Sequence, residues 1–169
     1  MEGWRPVTSD DAPRIVELAR SLRAELTELR GGALWADREA RGEPLEAAFE
    51  AWLANPDWLA VAGCVDDVVL GYGVVEVETL RSGSRLGVIH ELFVEVEARS
   101  VGVGEVMADA LVAFCRDAHC AGMDARALPG HRAAKNFFER HGFTARAIVM
   151  HHDLEEPDVS VANPGPAPA

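Results

Sequence analysis

Lysine is nearly missing from this chain. Lys135 is the only one, against fifteen arginines. Together with abundant alanine, that bias points to a high-GC bacterial genome. Positive charge is scarce altogether: 16 Lys and Arg face 28 Asp and Glu, a formal net charge of −12. So acidic a balance excludes a general binder of nucleic acid or of an anionic membrane surface. It leaves room for a local basic patch. Tyrosine occurs once, at Tyr72, so any role that needs a phenol has a single candidate. The three cysteines, Cys64, Cys115 and Cys120, show no Cys-x-x-Cys spacing. A sparse, odd set reads as reduced, buried thiols, and the expected location is cytoplasmic. No apolar run approaches transmembrane length, and Met1-Glu2-Gly3-Trp4 carries no signal-peptide pattern. His119 with Cys115 and Cys120, or His151-His152, match no metal-ligand spacing, so no metal is expected.

What is present is enough for one domain. The chain has 169 residues, 49% of them hydrophobic, and that length buries a core without staples. Trp4 to Val7 reads as a short extended segment. Ile15, Leu18, Leu22, Leu26 and Leu29 recur at helical spacing, which predicts an amphipathic helix over 11–29 behind Thr8-Ser9-Asp10-Asp11 as candidate caps. Gly31-Gly32 stops it. Residues 33–43 read equally as a short helix or a loop. Pro44 opens a second helix that ends before Asn55-Pro56. The period then changes. Trp58 to Val65 and Val68 to Leu80 predict a β-hairpin turning at Asp66-Asp67. Leu86 to Val96 is a third strand. Val103 to Cys120 is a helix with a broad buried face along Val106, Met107, Ala110, Leu111, Phe114 and Cys115. Asp124 to Leu128 predicts a strand, Arg132 to His141 a helix, and Phe143 to Leu154 a last strand. From Glu155 onward there are four prolines, three acidic residues and no basic ones, the composition of a disordered tail. The expected layout is therefore a domain over 1–154 and a tail over 155–169. Antiparallel strands first and βα units after predict an α+β fold, with a mixed, mostly antiparallel sheet flanked by helices on both faces.

The segment Arg99-Ser100-Val101-Gly102-Val103-Gly104 joins a strand to a helix. Free N–H groups at a helix start, with roughly half a positive charge from the dipole, make an anion seat. The strand before it ends in the aliphatic triplet Leu92-Phe93-Val94. Downstream, Ala134 to Phe143 ends in Phe-x-x-x-Gly-Phe. Turn, triplet and Gly-Phe helix, in this order over roughly residues 3 to 154, resemble the GNAT superfamily of acyl-CoA-dependent N-acyltransferases.

That resemblance implies acetyl-CoA as co-substrate and an amine acceptor. It implies that the pyrophosphate sits on the backbone N–H groups of Val101 to Glu105, with Gly102 and Gly104 sparing room. Arg99 is implied either as a charge for phosphate or as a tether for the turn. Ser100 and Val103 belong to the same turn, and Glu105 is expected to point away. The pantetheine arm should pair like an extra strand with Leu92, Phe93 and Val94, with the N–H of Phe93 or Leu92 near the thioester carbonyl. His131 and Asn136 are further candidates for contacts to the arm. Phe138 stands where many members of the family carry a tyrosine near the leaving sulfur.

An alkyl amine is almost wholly protonated at pH 7, and deprotonating it costs about 4–5 kcal/mol. A base is therefore expected. His90 and Glu91 are the candidates. Strict alternation puts His90 on a face with Val88, Leu92 and Val94, and Glu91 on the other with Ile89 and Phe93, so that one of the two reaches the acceptor. Tyr72 is a candidate acid, with a core role as its alternative. The region 30–43, with Trp35, Asp37, Arg38, Glu39 and Arg41, is expected over the acceptor site, and a homodimer is expected from the resemblance. The rival reading is a non-catalytic acyl-CoA-binding or regulatory module of the same fold.

Overall fold

Two aspartates set the first long hairpin. Asp66 and Asp67 have φ of 46° and 67°, the left-handed pair whose twist suits a two-residue β-turn. They join β2 (Trp58–Val65) to β3 (Val68–Thr79). β1 (Glu2–Pro6) adds antiparallel to β2, and β4 (Arg85–Val94) antiparallel to β3. β5 (Cys120–Ala125) lies parallel to β4. The order β1-β2-β3-β4-β5 is a mixed, mostly antiparallel sheet of five strands, as the sequence predicts. The protein is described by a computed structural model over residues 1–154. The predicted tail, 155–169, lies outside these described residues.

Helices cover both faces. α1 (Ala12–Thr27) begins behind a capping box between Thr8 and Asp11, and α2 (Gly32–Arg38) packs beside it. α3 (Leu45–Ala54) follows. Ile15, Leu18, Leu22, Phe49 and Trp52 from α1 and α3 bury one face with Ala60, Ala62, Tyr72, Val74 and Phe93. α4 (Val103–Asp117) covers the opposite face, with Val103, Met107, Leu111 and Cys115 against Val61, Val75, Val77 and Ile89. Each fully buried aliphatic side chain here contributes about 1.5–3 kcal/mol. α5 (Arg132–Arg140) closes the series. No described helix is long and apolar enough to cross a membrane.

Three expectations need correction. Phe143 to Leu154 forms no strand among the described residues. Ile148, Val149 and Met150 are 83%, 86% and 87% exposed, because no neighbouring strand pairs with their backbone. The strand predicted at Asp124 to Leu128 lies earlier, at Cys120–Ala125, since the parallel register to β4 selects which residues pair. Third, alternation breaks at His90. Val74 lies opposite Glu91 while Val75 lies opposite Ile89, so His90 is the extra residue of a β-bulge. The bulge turns His90 and Glu91 toward the same face, the one under α1 and α3, and away from Leu92 and Val94.

Candidate active site

β4 outruns its parallel neighbour. The β4–β5 register covers Arg85 to Ile89 only, so His90 to Val94 have no strand partner on that side among the described residues. Glu95 donates its N–H to Leu70 O on β3, 2.9 Å away. Backbone groups alternate along an antiparallel strand. Phe93 therefore also faces β3, and Leu92 and Val94 turn their N–H and C=O groups to the gap. One such group is in use: Arg99 donates from Nε to Val94 O at 3.0 Å. The Arg99 guanidinium lies 5.5 Å from the Phe93 ring centre and pairs with Glu25 at 2.5 Å. Of the two roles open for Arg99, these contacts are those of a tether. Glu25 also lies 3.8 Å from His131 Nε2.

The turn into α4 has the geometry of an anion seat. Ser100 and Gly102 have φ of 76° and 90°. Gly102 is the N-cap of α4, where a Cβ would strain the left-handed backbone. Val106 N–H is bonded back to Gly102 O at 3.1 Å, so the N–H groups of Val103, Gly104 and Glu105 before it are the ones a helix leaves free. A Cβ on Gly104 would meet the Phe137 ring at 3.2 Å and Val94 at 3.7 Å. Val103 is fully buried, whereas Ser100, Val101 and Glu105 are exposed. The gap beside Leu92 and Val94 and this glycine-lined helix start are continuous along one strand, turn and helix. Together they fit an extended arm ending in a pyrophosphate.

Across the sheet from α4, the bulge assembles a polar cluster. Glu91 is buried and accepts a hydrogen bond from Tyr72 Oη at 2.8 Å. Arg41 Nε lies 3.5 Å from its other oxygen. Burial raises the Glu91 carboxyl above its ordinary pKa, against the opposing pull of Tyr72 and Arg41. Burial, then the Glu91 charge, pushes the Tyr72 phenol well above its own. His90 stacks on Trp58, ring centres 4.9 Å apart, and its Nε2 lies 2.7 Å from Glu76 Oε2. Loss of water around the ring lowers the His90 pKa, with Glu76 opposing and Arg41 assisting. The Arg41 guanidinium sits 5.1 Å from Trp52 and 4.8 Å from Trp58, within cation–π range of both.

The structure thus brings Tyr72, His90 and Glu91 together on one side of the sheet. It gathers Leu92, Val94, Arg99 and the turn along the gap. Phe138 packs into the α4-side core with its ring 5.3 Å from Phe143. Asn136 is exposed on α5. Sequence reasoning missed Phe137, which lies against Gly104, and Glu25, which bridges Arg99 and His131. It also missed Trp52, Trp58 and Glu76 around His90. Nothing in their local patterns marks them, because their partners are distant in the chain, 14 residues for Glu76 and His90 and 74 for Glu25 and Arg99.

A sequence profile described as the acetyltransferase (GNAT) family matches residues 21–143. That is most of the chain, and the protein belongs to this family. No relative is found among curated proteins. Solved structures give the same fold. An acetyltransferase from Trypanosoma brucei is 19% identical, with 91% of this chain and 100% of that one aligned at a TM-score of 0.66. Glucosamine-6-phosphate N-acetyltransferase from Arabidopsis thaliana is 18% identical, over 92% of this chain and 99% of that one, at 0.67. AAC(6′)-Iy, in complex with the bisubstrate analogue CoA-S-monomethyl-acetylneamine, is 14% identical, over 92% and 99%, at 0.69.

Proposed function

From membership of the GNAT acetyltransferase family, we propose that this protein transfers an acetyl group from acetyl-CoA to a primary amine. The observation that carries the reading is the open edge of β4 running into the Gly102–Gly104 helix start. Acetyl-CoA supplies an activated acetyl thioester. Backbone N–H groups of Val101 to Glu105 hold its pyrophosphate, with no Cβ at Gly102 or Gly104 in the way. Leu92 and Val94 pair with the amides of its arm. Between the two candidates for the thioester carbonyl, Leu92 is favoured over Phe93, because its N–H faces the gap.

Glu91 takes the proton of the acceptor ammonium. Its raised pKa moves it toward working pH, where a carboxylate base is most effective. Tyr72 holds Glu91 in place and commits its own hydrogen to it, so Tyr72 acts as a positioning residue and not as the acid. His90, paired with Glu76, is a second proton acceptor at the exposed side of the same cluster. The amine nitrogen forms the new bond to the acetyl carbon as the carbon–sulfur bond breaks. The leaving thiolate, from a thiol of pKa near 8.5, needs little help from an acid.

Two variants test the cofactor seat. Gly104→Asp puts a side chain against Phe137 and a negative charge at the helix start. Gly102→Asp puts a negative charge at the same helix start, beside Glu2 and at a φ of 90°. Calorimetric titration with acetyl-CoA should show at least about tenfold weaker binding for each, about 1.4 kcal/mol. Undiminished affinity in both folded variants would overturn this seat. Thiol release with a panel of amines then separates an enzyme from a module that only binds acetyl-CoA.

A further inference from the structure

Arg41 is unusual among the described residues. Its Nη2 is their one buried side-chain polar atom with no hydrogen-bond partner. It lies in the connection between α2 and α3, above the buried Glu91. An unpaired donor on a charged group is costly to bury. A donor placed there calls for an acceptor atom. Beside it lies a cavity of about 10 Å³, lined by Arg23, Trp35, Arg41, Leu45 and Glu91 among others. That is room for about one oxygen atom.

The charge at this cavity runs against the rest of the protein. The chain carries −12 overall, yet two guanidinium groups and one carboxylate line the space. Arg23 donates to the carbonyls of Arg41 and Ala36, at 3.2 and 3.3 Å, and forms no ion pair among the described residues. Glu91 is already answered by Tyr72 and Arg41. What remains is a positive excess with an open donor.

We infer that the acceptor carries a carboxylate close to its amine, an amino acid in chemical class, and that Arg41, backed by Arg23, receives that carboxylate. The inference rests on the N-acetylation reading and narrows its acceptor. Arg41 Nε and Glu91 Oε1 stand 3.5 Å apart. A cation and an anion so near each other match a zwitterion, with the ammonium on Glu91 and the carboxylate on Arg41. Groups separated by one or two carbons span such a pair; a large polyamine has no counterpart for the guanidinium. The indoles of Trp52 and Trp58 fix the guanidinium from the side, and Nη2 is the donor left for the ligand. Buried charges paired this way discriminate strongly, because an acceptor lacking the anion leaves Arg41 Nη2 without a partner.

The test compares thiol release from acetyl-CoA with free α-amino acids and with their carboxamides, at one pH. The wild-type protein should prefer the free acids by at least tenfold in kcat/KM. Arg41→Gln should bring that ratio to within about twofold of one. Using the ratio cancels the change that losing Arg41 imposes on Glu91. Equal or better use of the carboxamides by the wild-type protein would overturn the inference, whether or not the variant folds. So would an unchanged ratio in an Arg41→Gln protein that still binds acetyl-CoA. If no amine of any kind releases thiol while acetyl-CoA binds, the N-acetylation reading itself fails, and this inference with it.

Discussion

Tyr72 and Glu91, on neighbouring strands, share one short hydrogen bond: the phenol donates to the carboxylate at 2.8 Å, beneath α1 and α3. The chain's single tyrosine is thus spent on the one carboxylate buried within the sheet among the described residues. The bond favours the ionised form of Glu91 and opposes the desolvation that raises its pKa.

Tyr72→Phe removes that bond and keeps the ring. The Glu91 pKa should rise further, so the acidic limb of the kcat/KM profile should move to higher pH. A merely structural loss would leave the limb in place. Stability should fall by about 2 kcal/mol, the scale of a hydrogen bond to a charged group, in a denaturant titration at neutral pH. Glu91 binds more protons folded than unfolded between the ordinary carboxylate range and its raised folded value. Stability from this group is therefore present at lower pH and is lost as pH rises through that window.

Asp11 predicts the opposite slope. It is buried, receives both Nη groups of Arg5 at 2.7 and 2.6 Å, and accepts from Thr8 N–H and Oγ. Arg5 beside it holds its carboxyl far below the usual range. The unfolded value is near 3.9. Its contribution is complete above that value and lost as pH falls below it. Asp11→Asn should cost about 2 kcal/mol at pH 7, less than a fully buried pair because Arg5 is 44% exposed. It should also flatten the acid limb of a melting-temperature profile.

Ile148 and Val149 report on the missing last strand. Both are more than four-fifths exposed. Ile148→Asp and Val149→Asp should each change stability by less than about 0.5 kcal/mol, the range of ordinary surface substitutions. A loss of 2 kcal/mol or more in chemical denaturation would show that the segment packs on the domain.

Arg99 tests the tether. Its guanidinium joins Val94 O to Glu25. Arg99→Gln should loosen the turn and weaken acetyl-CoA binding. Glu25→Gln, which leaves any direct charge contact to phosphate intact, should weaken binding in the same direction. A charge role for Arg99 alone would make Glu25→Gln neutral or favourable by titration calorimetry.

Most of the fold was legible in the sequence, because periodicity and turn chemistry are local. The stripe from Ile15 to Leu29 specified α1, and Asp66-Asp67 between two β-prone runs specified the hairpin turn. Arg99 to Gly104 was legible for the same reason: a strand, a glycine turn and a helix follow one another in the chain. The last strand was not, since β-prone residues such as Ile148 and Val149 describe a preference, and pairing needs an edge that accepts them.

The proposed acceptor side of the site belongs to tertiary structure. Sequence alternation set His90 and Glu91 on opposite faces, but the bulge opposite Val74 and Val75 turned them to one. Arg41 and Trp58 are 17 residues apart in the chain, and only the packing of α3 on the sheet lays the guanidinium on that indole. The sequence by itself determined the strand–turn–helix proposed to seat the donor's phosphates, because backbone conformation there follows from adjacent residues. Which side chains meet around Glu91 was decided by a strand register and a loop crossing, and those depend on contacts between residues far apart in the chain.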